Sequence, residues 1–256
     1  MTPLLLVSGW AHTAEALQPL ADRLARHRAV RVSAIHELVV GSDRSDRSDR
    51  SNFSCYAAGL VRELERENGP CVLAGWSMGG MIALEAAVAC PDRVAALILI
   101  SSAPRLAAAP DFPEGVPLRT LRAMQNGLRK TPERTLGAFF RNAAFPVRPD
   151  THTLSGRIMD ALGLGTEQLA EQLRYLLETD LRVCVAGLSV PTLALHGRLD
   201  RIIPVVAAAR ITGPPSRVRM EKWEDTGHSL PLQHSERVAA RMLDFFKIAR
   251  HERPSP

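Results

Sequence analysis

Ser77, Asp200 and His228 are residues of the types that together can break an acyl bond, and they occur in a telling order. A serine hydroxyl is a weak nucleophile until a base accepts its proton, and the base needs a partner that fixes its tautomer. Ser77 is the middle residue of Gly75-Trp76-Ser77-Met78-Gly79, between the apolar runs CVLA and MIALEAAVA. The G-x-S-x-G spacing requires a sharp strand-to-helix turn, and the glycines leave room for the close backbone approach. Such a turn lifts the hydroxyl out of the sheet and sets it at a helix N-terminus, where N–H groups favour a developing oxyanion. Asp200 lies in HGRLDRIIP after the strand-like PTLALHG, and His228 in EDTGHSLP after VRMEKW. Both fall at C-terminal ends of predicted strands, on the edge that also carries Ser77, where an open parallel sheet places its site. A lone serine here reads as a packing turn, a lone Asp200 as a cap and a lone His228 as a surface residue. The order Ser, Asp, His, each at a strand end, argues for a triad instead.

The other histidines fit less well. His196 falls within a predicted strand and His234 within a predicted helix, while His12 and His36 precede the serine. In the triad reading Ser77 Oγ attacks a carbonyl, His228 moves the proton and Asp200 orients the imidazole. The N–H of Met78, directly after the nucleophile, is one expected oxyanion donor. The N–H of Trp10, in the loop SGWA after the first strand, is the other.

These residues need a particular frame. PLLLVS (3–8), AVRVSAI (29–35), PCVLAGW (70–76), RVAALILIS (93–101), PTLALHG (191–197) and 217–223 read as strands. Helical spacing is expected at 14–27, from an N-cap at Ser54 to about Asn68, after Ser77, and at 204–212 and 231–249. Strands alternating with helices imply a parallel sheet covered on both faces. The rhythm breaks between 104 and 183, which reads as helical. The expected organisation is therefore a core at 1–103, a helical insertion at 104–183 and the rest of the core at 184–256. GSDRSDRSDRS at 41–51 has no apolar residue and nearly cancelling charges, and reads as a solvated loop.

Bulk properties narrow the function classes. The chain is 46% apolar and 23% charged, ordinary for a globular protein. No apolar run approaches a membrane span, and MTPLLLVSGW lacks the basic flank of a signal peptide. Four scattered cysteines without a CxxC pair fit a reducing compartment, and the cytoplasm is expected. The net charge of +5 comes without a nucleic-acid motif, so neither nucleic acid nor membrane is an expected partner. The segment 119–157 has eight basic residues against Glu133 and Asp150: Arg119, Arg122, Arg129, Lys130, Arg134, Arg141, Arg148 and Arg157. Such a face is ordinarily just solvated, but it could steer an acidic partner.

LLLVSGWAHTAEALQPLADRL, LAGWSMGGMIALEAAVACPDRVAALILISSAPR, PERTLGAFFR, LLETDLR with LSVPTLALHGRLDRIIP, and DTGHSLPLQHSERV together carry a resemblance over almost the whole chain. The sequence resembles the α/β-hydrolases and, more narrowly, the pimeloyl-acyl-carrier-protein methyl ester esterases of biotin synthesis. The elbow and triad are superfamily-wide, whereas Trp10, Trp76, SSAPR and LLETDLR are narrower. The resemblance implies an α/β-hydrolase fold, with a mostly parallel central sheet, helices on both faces and an inserted helical lid. It implies a carboxylesterase that cleaves the methyl ester of pimeloyl carried on acyl carrier protein, with no metal or organic cofactor. It further implies carrier docking on the basic lid of a monomer. Arg134 matches a lid arginine used for the carrier. Phe139 and Phe140 match the lid segment lining the acyl channel, and Trp10 and Met78 complete the substrate contacts. Two departures stand out: Ser8 replaces the usual histidine of the oxyanion loop, and His36 to Ser51 replaces a glycine-rich turn. The sheet is also expected to lack strands at the edge of the first strand. Competing readings are a general carboxylesterase, a carbon–carbon bond hydrolase or perhydrolase, and a ligand-binding protein on the same fold. A dehalogenase would carry an aspartate at 77.

Overall fold

The computed structural model describes residues 2–39, 53–212 and 218–251; the 41–51 repeat lies outside them. Six strands form one sheet: β1 (Leu4–Val7), β2 (Val30–Ser33), β3 (Cys71–Trp76), β4 (Val94–Ile100), β5 (Thr192–Gly197) and β6 (Val218–Trp223). The order is β2-β1-β3-β4-β5-β6, and every pairing is parallel. Period-2 alternation divides each strand between two cores. Leu4, Leu6, Val72, Ala74, Trp76 and Ile98 pack on one face with α1 (Gln18–Ala25) and the late helix α11 (Ser235–His251). Leu5, Val7, Leu73, Leu97 and Leu99 pack on the other, against α2 (Cys55–Glu65) and α3 (Met78–Ala89). The inner strands are almost wholly buried and mainly apolar because both faces are covered, with Thr192 and His196 of β5 as buried polar exceptions, whereas the edge strands β2 and β6 are partly exposed.

Local chemistry sets the helix starts. Ser54 caps α2 as its residue type suggests, its Oγ accepting from the Ala57 N–H at 3.1 Å. The helix expected at 14–27 opens instead with a 3-10 turn at Ala14–Leu17, and Pro19 then stands in the first turn of α1. α3 is buried on nearly all sides, so it is apolar all round rather than striped.

Between β4 and β5 the chain forms α4 (Leu118–Lys130), α5 (Pro132–Ala144), α6 (Thr151–Gly163), α7 (Thr166–Glu178) and α8 (Arg182–Ala186). The entry and exit of this lid are clamped together. Leu181 N–H donates to Pro104 C=O at 2.8 Å, Arg105 pairs with Asp180, and Arg182 bridges Asp180 (2.6 Å) and Asp111 (2.8 Å). The arginine partners hold the Asp180 carboxyl far below the usual range, the hydrogen bond from Arg182 most of all. SSAPR and LLETDLR thus meet side by side at the base of the lid. After β5 come α9 (Val205–Ala208), β6, α10 (Leu230–Gln233) and α11. His234 is not inside a helix as expected: it is the joint between α10 and α11, its ring edge-on to Trp223.

Candidate active site

The ends of β1, β3, β4, β5 and β6 lie side by side, since Val7 pairs with Gly75, Trp76 with Ile100 and Gly197 with Trp223. The loops leaving these ends bring the sequence candidates together. Ser77 takes φ 58° and ψ −121°, a conformation that costs a non-glycine residue about 1–3 kcal/mol. The turn is over-determined: Ser77 N–H donates to Ile100 C=O at 2.8 Å, and Gly80 N–H to Ser77 C=O at 2.9 Å. A Cβ on Gly75 would stand 2.2 Å from Gly79 O, and one on Gly79 2.3 Å from Ser8 O. The glycines flanking the serine are therefore steric requirements, as their spacing suggests.

His228 Nε2 lies 2.9 Å from Ser77 Oγ, and its Nδ1 lies 2.8 Å from Asp200 Oδ2. The other Asp200 oxygen accepts from the N–H groups of Ile202 (2.8 Å) and Ile203 (2.9 Å), so the carboxylate cannot rotate freely. His196 approaches Asp200 Oδ2 at 3.3 Å while its Nε2 lies 3.0 Å from Ile203 C=O. Burial holds the His196 imidazole below its usual range, so it is a neutral buttress of this loop. All three triad side chains are buried, His228 to 1% exposure. The arrangement can pass a proton from Ser77 Oγ to His228 Nε2 and keep the resulting imidazolium beside a carboxylate.

Two indole side chains brace the site, Trp76 expected from sequence only as a subgroup marker and Trp10 as an oxyanion donor and substrate contact. Trp76 Nε1 donates to the carbonyl of His228 at 3.0 Å, fixing the histidine loop from beneath. Trp10 Nε1 donates to Leu169 C=O on α7 at 3.0 Å, tying the loop after β1 to the lid. Neither contact is readable from spacing, because the partners are 152 and 159 residues away. The lid also rests on the histidine loop directly: Ser229 Oγ donates to Ala143 C=O at 2.9 Å, and a Cβ on Gly227 would meet Phe145 O at 1.8 Å. Behind the elbow, buried Glu85 on α3 accepts from Ser54 and from Tyr175 of α7, linking α3, α2 and the lid. Burial raises the Glu85 carboxyl despite these donors.

The remaining candidates divide. Gly9 lies against the elbow, since a Cβ there would stand 3.3 Å from Ser77 Cβ, so the Trp10 backbone borders Ser77. Among the described residues the N–H groups of Trp10 and Met78 donate to no protein acceptor. Ser8, in place of histidine, is fully buried and donates from Oγ to the carbonyl of His12 at 3.2 Å, closing the loop on itself. Phe139 meets the Trp10 ring edge-on at 4.8 Å, and Phe140 is buried against His12 at 5.3 Å. Arg134 is exposed on α5 and enters none of the site's hydrogen bonds. Among the described residues no group of three or more His, Cys, Asp or Glu side chains could hold a metal ion, and no helix is long and apolar enough to cross a membrane.

Sheet order, elbow and site loops define a class, and the sequence profile of the alpha/beta hydrolase family matches residues 4–241: the chain belongs to that family. Among similar curated proteins is the pimeloyl-acyl-carrier-protein methyl ester esterase of Pectobacterium atrosepticum, 30% identical over 247 residues, covering 95% of this chain and 94% of that protein. The protein of the same name from Neisseria meningitidis is 31% identical over 242 residues, covering 94% and 91%. Solved structures that share the fold include a hydrolase from Oleispira antarctica (TM-score 0.81, 16% identity, covering 96% of this chain and 91% of that one). An esterase from Exiguobacterium antarcticum also shares it (TM-score 0.79, 19% identity, covering 96% and 92%). The chain is thus an alpha/beta hydrolase that resembles named esterases over nearly its full length.

Proposed function

We propose that this hydrolase is a serine carboxylesterase that cleaves the methyl ester of a pimeloyl chain carried on acyl carrier protein, in the cytoplasm, as part of biotin synthesis. The observation that carries the reading is the relay Ser77 Oγ–His228 Nε2–Nδ1–Asp200 Oδ2 at 2.9 and 2.8 Å on a strained elbow. The named relatives supply the ester. In this reading Ser77 Oγ forms a bond to the ester carbon as its proton moves to His228 Nε2. The N–H groups of Trp10 and Met78, free of protein acceptors, take the oxyanion. Collapse expels methoxide, which leaves as methanol with the proton from His228. Water then attacks the acyl-serine with His228 again as base, and the free carboxylate departs. Asp200 holds the imidazole tautomer and stabilises the imidazolium. No metal or organic cofactor is needed for these steps.

The basic lid supports an acidic macromolecular partner. Arg119, Arg122, Arg129, Lys130, Arg134, Arg141 and Arg148 form no ion pair with a carboxylate among the described residues. Arg105, Arg174, Arg182 and Arg241 are paired with carboxylates, so the unpaired cations of 119–148 are concentrated on one stretch of the lid. In this reading Arg134 contacts the carrier, Phe139 lines the acyl path with the buried Phe140 packed behind it, and the enzyme acts as a monomer.

The test is to incubate the protein with pimeloyl methyl ester on acyl carrier protein and follow the carrier by mass spectrometry, with Ser77→Ala alongside. Loss of one methylene's mass with wild type only, faster than on free dimethyl pimelate, is expected. Rapid cleavage of small esters with none on the carrier would overturn the carrier reading and leave the lid cations as a solvated face.

A further inference from the structure

Two polar groups, His12 near His228 and Arg157 near His12, take no part in the acyl-transfer steps above. His12, in the loop after β1, is 7% exposed, and neither ring nitrogen hydrogen-bonds to a protein group among the described residues; Nε2 is fully buried. Its ring packs on Trp76 at 4.4 Å, and Trp76 in turn packs on His228 at 6.0 Å. The second group is Arg157 on α6. It is half-buried, and no carboxylate or carbonyl lies within hydrogen-bond reach of its guanidinium among the described residues. Asp150 acts on Arg157 from a distance, but its oxygens are occupied by the N–H and hydroxyl of Thr153 at the start of α6. His12 and Arg157 line one cavity of about 280 Å³, between the loop after β1, α6 and Leu232 of α10. Glu15 and Asp160 stand at its exposed rim.

A buried polar atom without a partner and a half-buried cation without an anion are both costly, and such groups are retained where a ligand satisfies them. We propose that His12 and Arg157 form a subsite for a second carboxyl-derived group of the acyl substrate, the imidazole N–H and the guanidinium holding its carbonyl or carboxylate oxygens. This rests on the esterase reading and assigns the residues that recognise the far end of its substrate, with one carbonyl on Ser77 and the other on this pair. Burial, with Arg157 and His228 nearby, pushes the His12 imidazole down to about 3, so at neutral pH it is uncharged and offers one N–H and one bare nitrogen. The fixed positive charge of the subsite is that of Arg157. The oxygen acceptor has two sources, a free carboxylate in a half-ester or the carbonyl of a thioester.

Three methyl esters separate the possibilities: methyl octanoate, monomethyl pimelate, and the N-acetylcysteamine thioester of monomethyl pimelate. Wild type is expected to prefer at least one two-headed ester over methyl octanoate in kcat/KM. His12→Leu and Arg157→Gln should each shrink that preference about tenfold or more, and Arg157→Lys should restore part of it. A loss confined to monomethyl pimelate identifies a carboxylate site, and a loss on both two-headed esters a carbonyl site. A preference equal in wild type and both variants overturns the subsite while leaving the esterase standing. If wild type turns over none of the three, the esterase reading fails, and calorimetric titration with pimelate decides the subsite alone. Saturable binding weakened in both folded variants supports it; binding unchanged by them, or absent from wild type, overturns it.

Discussion

Replacing Trp76 by phenylalanine should slow the reaction without removing any reacting group. The indole N–H is the hydrogen-bond partner of the His228 carbonyl at 3.0 Å, and both residues are 1% exposed. Phenylalanine keeps a ring between Gly9 and His12 but leaves that carbonyl with no partner in a place water does not reach. Such an orphan costs about 1–3 kcal/mol, and the volume lost from the larger ring adds to it, for a total of roughly 2–4 kcal/mol. Urea unfolding should show the loss as a lower midpoint at unchanged slope. The kinetic effect follows from position: the histidine backbone is released where Nε2 must stay within 2.9 Å of Ser77 Oγ. Displacements of about 1 Å in a reacting group can cost on the order of 100-fold, so kcat on p-nitrophenyl butyrate should fall about 10- to 100-fold with KM little changed. A variant that is destabilised yet keeps kcat within about twofold of wild type would refute this reasoning, leaving Trp76 as packing alone.

Two more outcomes follow from the packing around the site. Gly79→Ala would place a Cβ 2.3 Å from Ser8 O and 2.6 Å from Val7 O, both backbone atoms that cannot swing aside. It should separate α3 from β1 and cost at least about 1–3 kcal/mol, with loss of hydrolysis; a variant with wild-type thermal midpoint and activity would contradict the elbow geometry. Acid should also destabilise the fold through His12. Its folded-state value, about 3, lies below the ordinary 6.5, so the unfolded chain binds the extra proton between those limits. Stability from this group is complete above about pH 6.5 and falls by about 1.4 kcal/mol per pH unit as pH drops towards 3. Urea midpoints at pH 7.5 and 5.0 should therefore lie closer together in His12→Leu than in wild type, and an equal gap would contradict a neutral buried ring.

How much of this was legible beforehand depends on the range of the interaction. Strand–helix alternation, the Ser54 cap and the flanking glycines of Ser77 are local, and local sterics act within a few residues; all three are legible in the chain alone. The order Ser77, Asp200, His228 at three strand ends is legible too, because a parallel sheet aligns those ends whatever the loops contain. Contacts between distant segments are not. Nothing in spacing says that Trp76 will hold His228, that Trp10 will bind α7, or that Arg105 and Arg182 will share Asp180. Likewise His12, set aside for preceding the serine, lies beside the triad only because the loop after β1 folds over the elbow, bonding His12 N–H back to Gly9 C=O at 3.3 Å. Sequence alone determines which residues could do chemistry and on which sheet edge they emerge. The tertiary structure decides their distances, what supports them and which polar groups are left unsatisfied, since those depend on burial and on partners brought together from far along the chain.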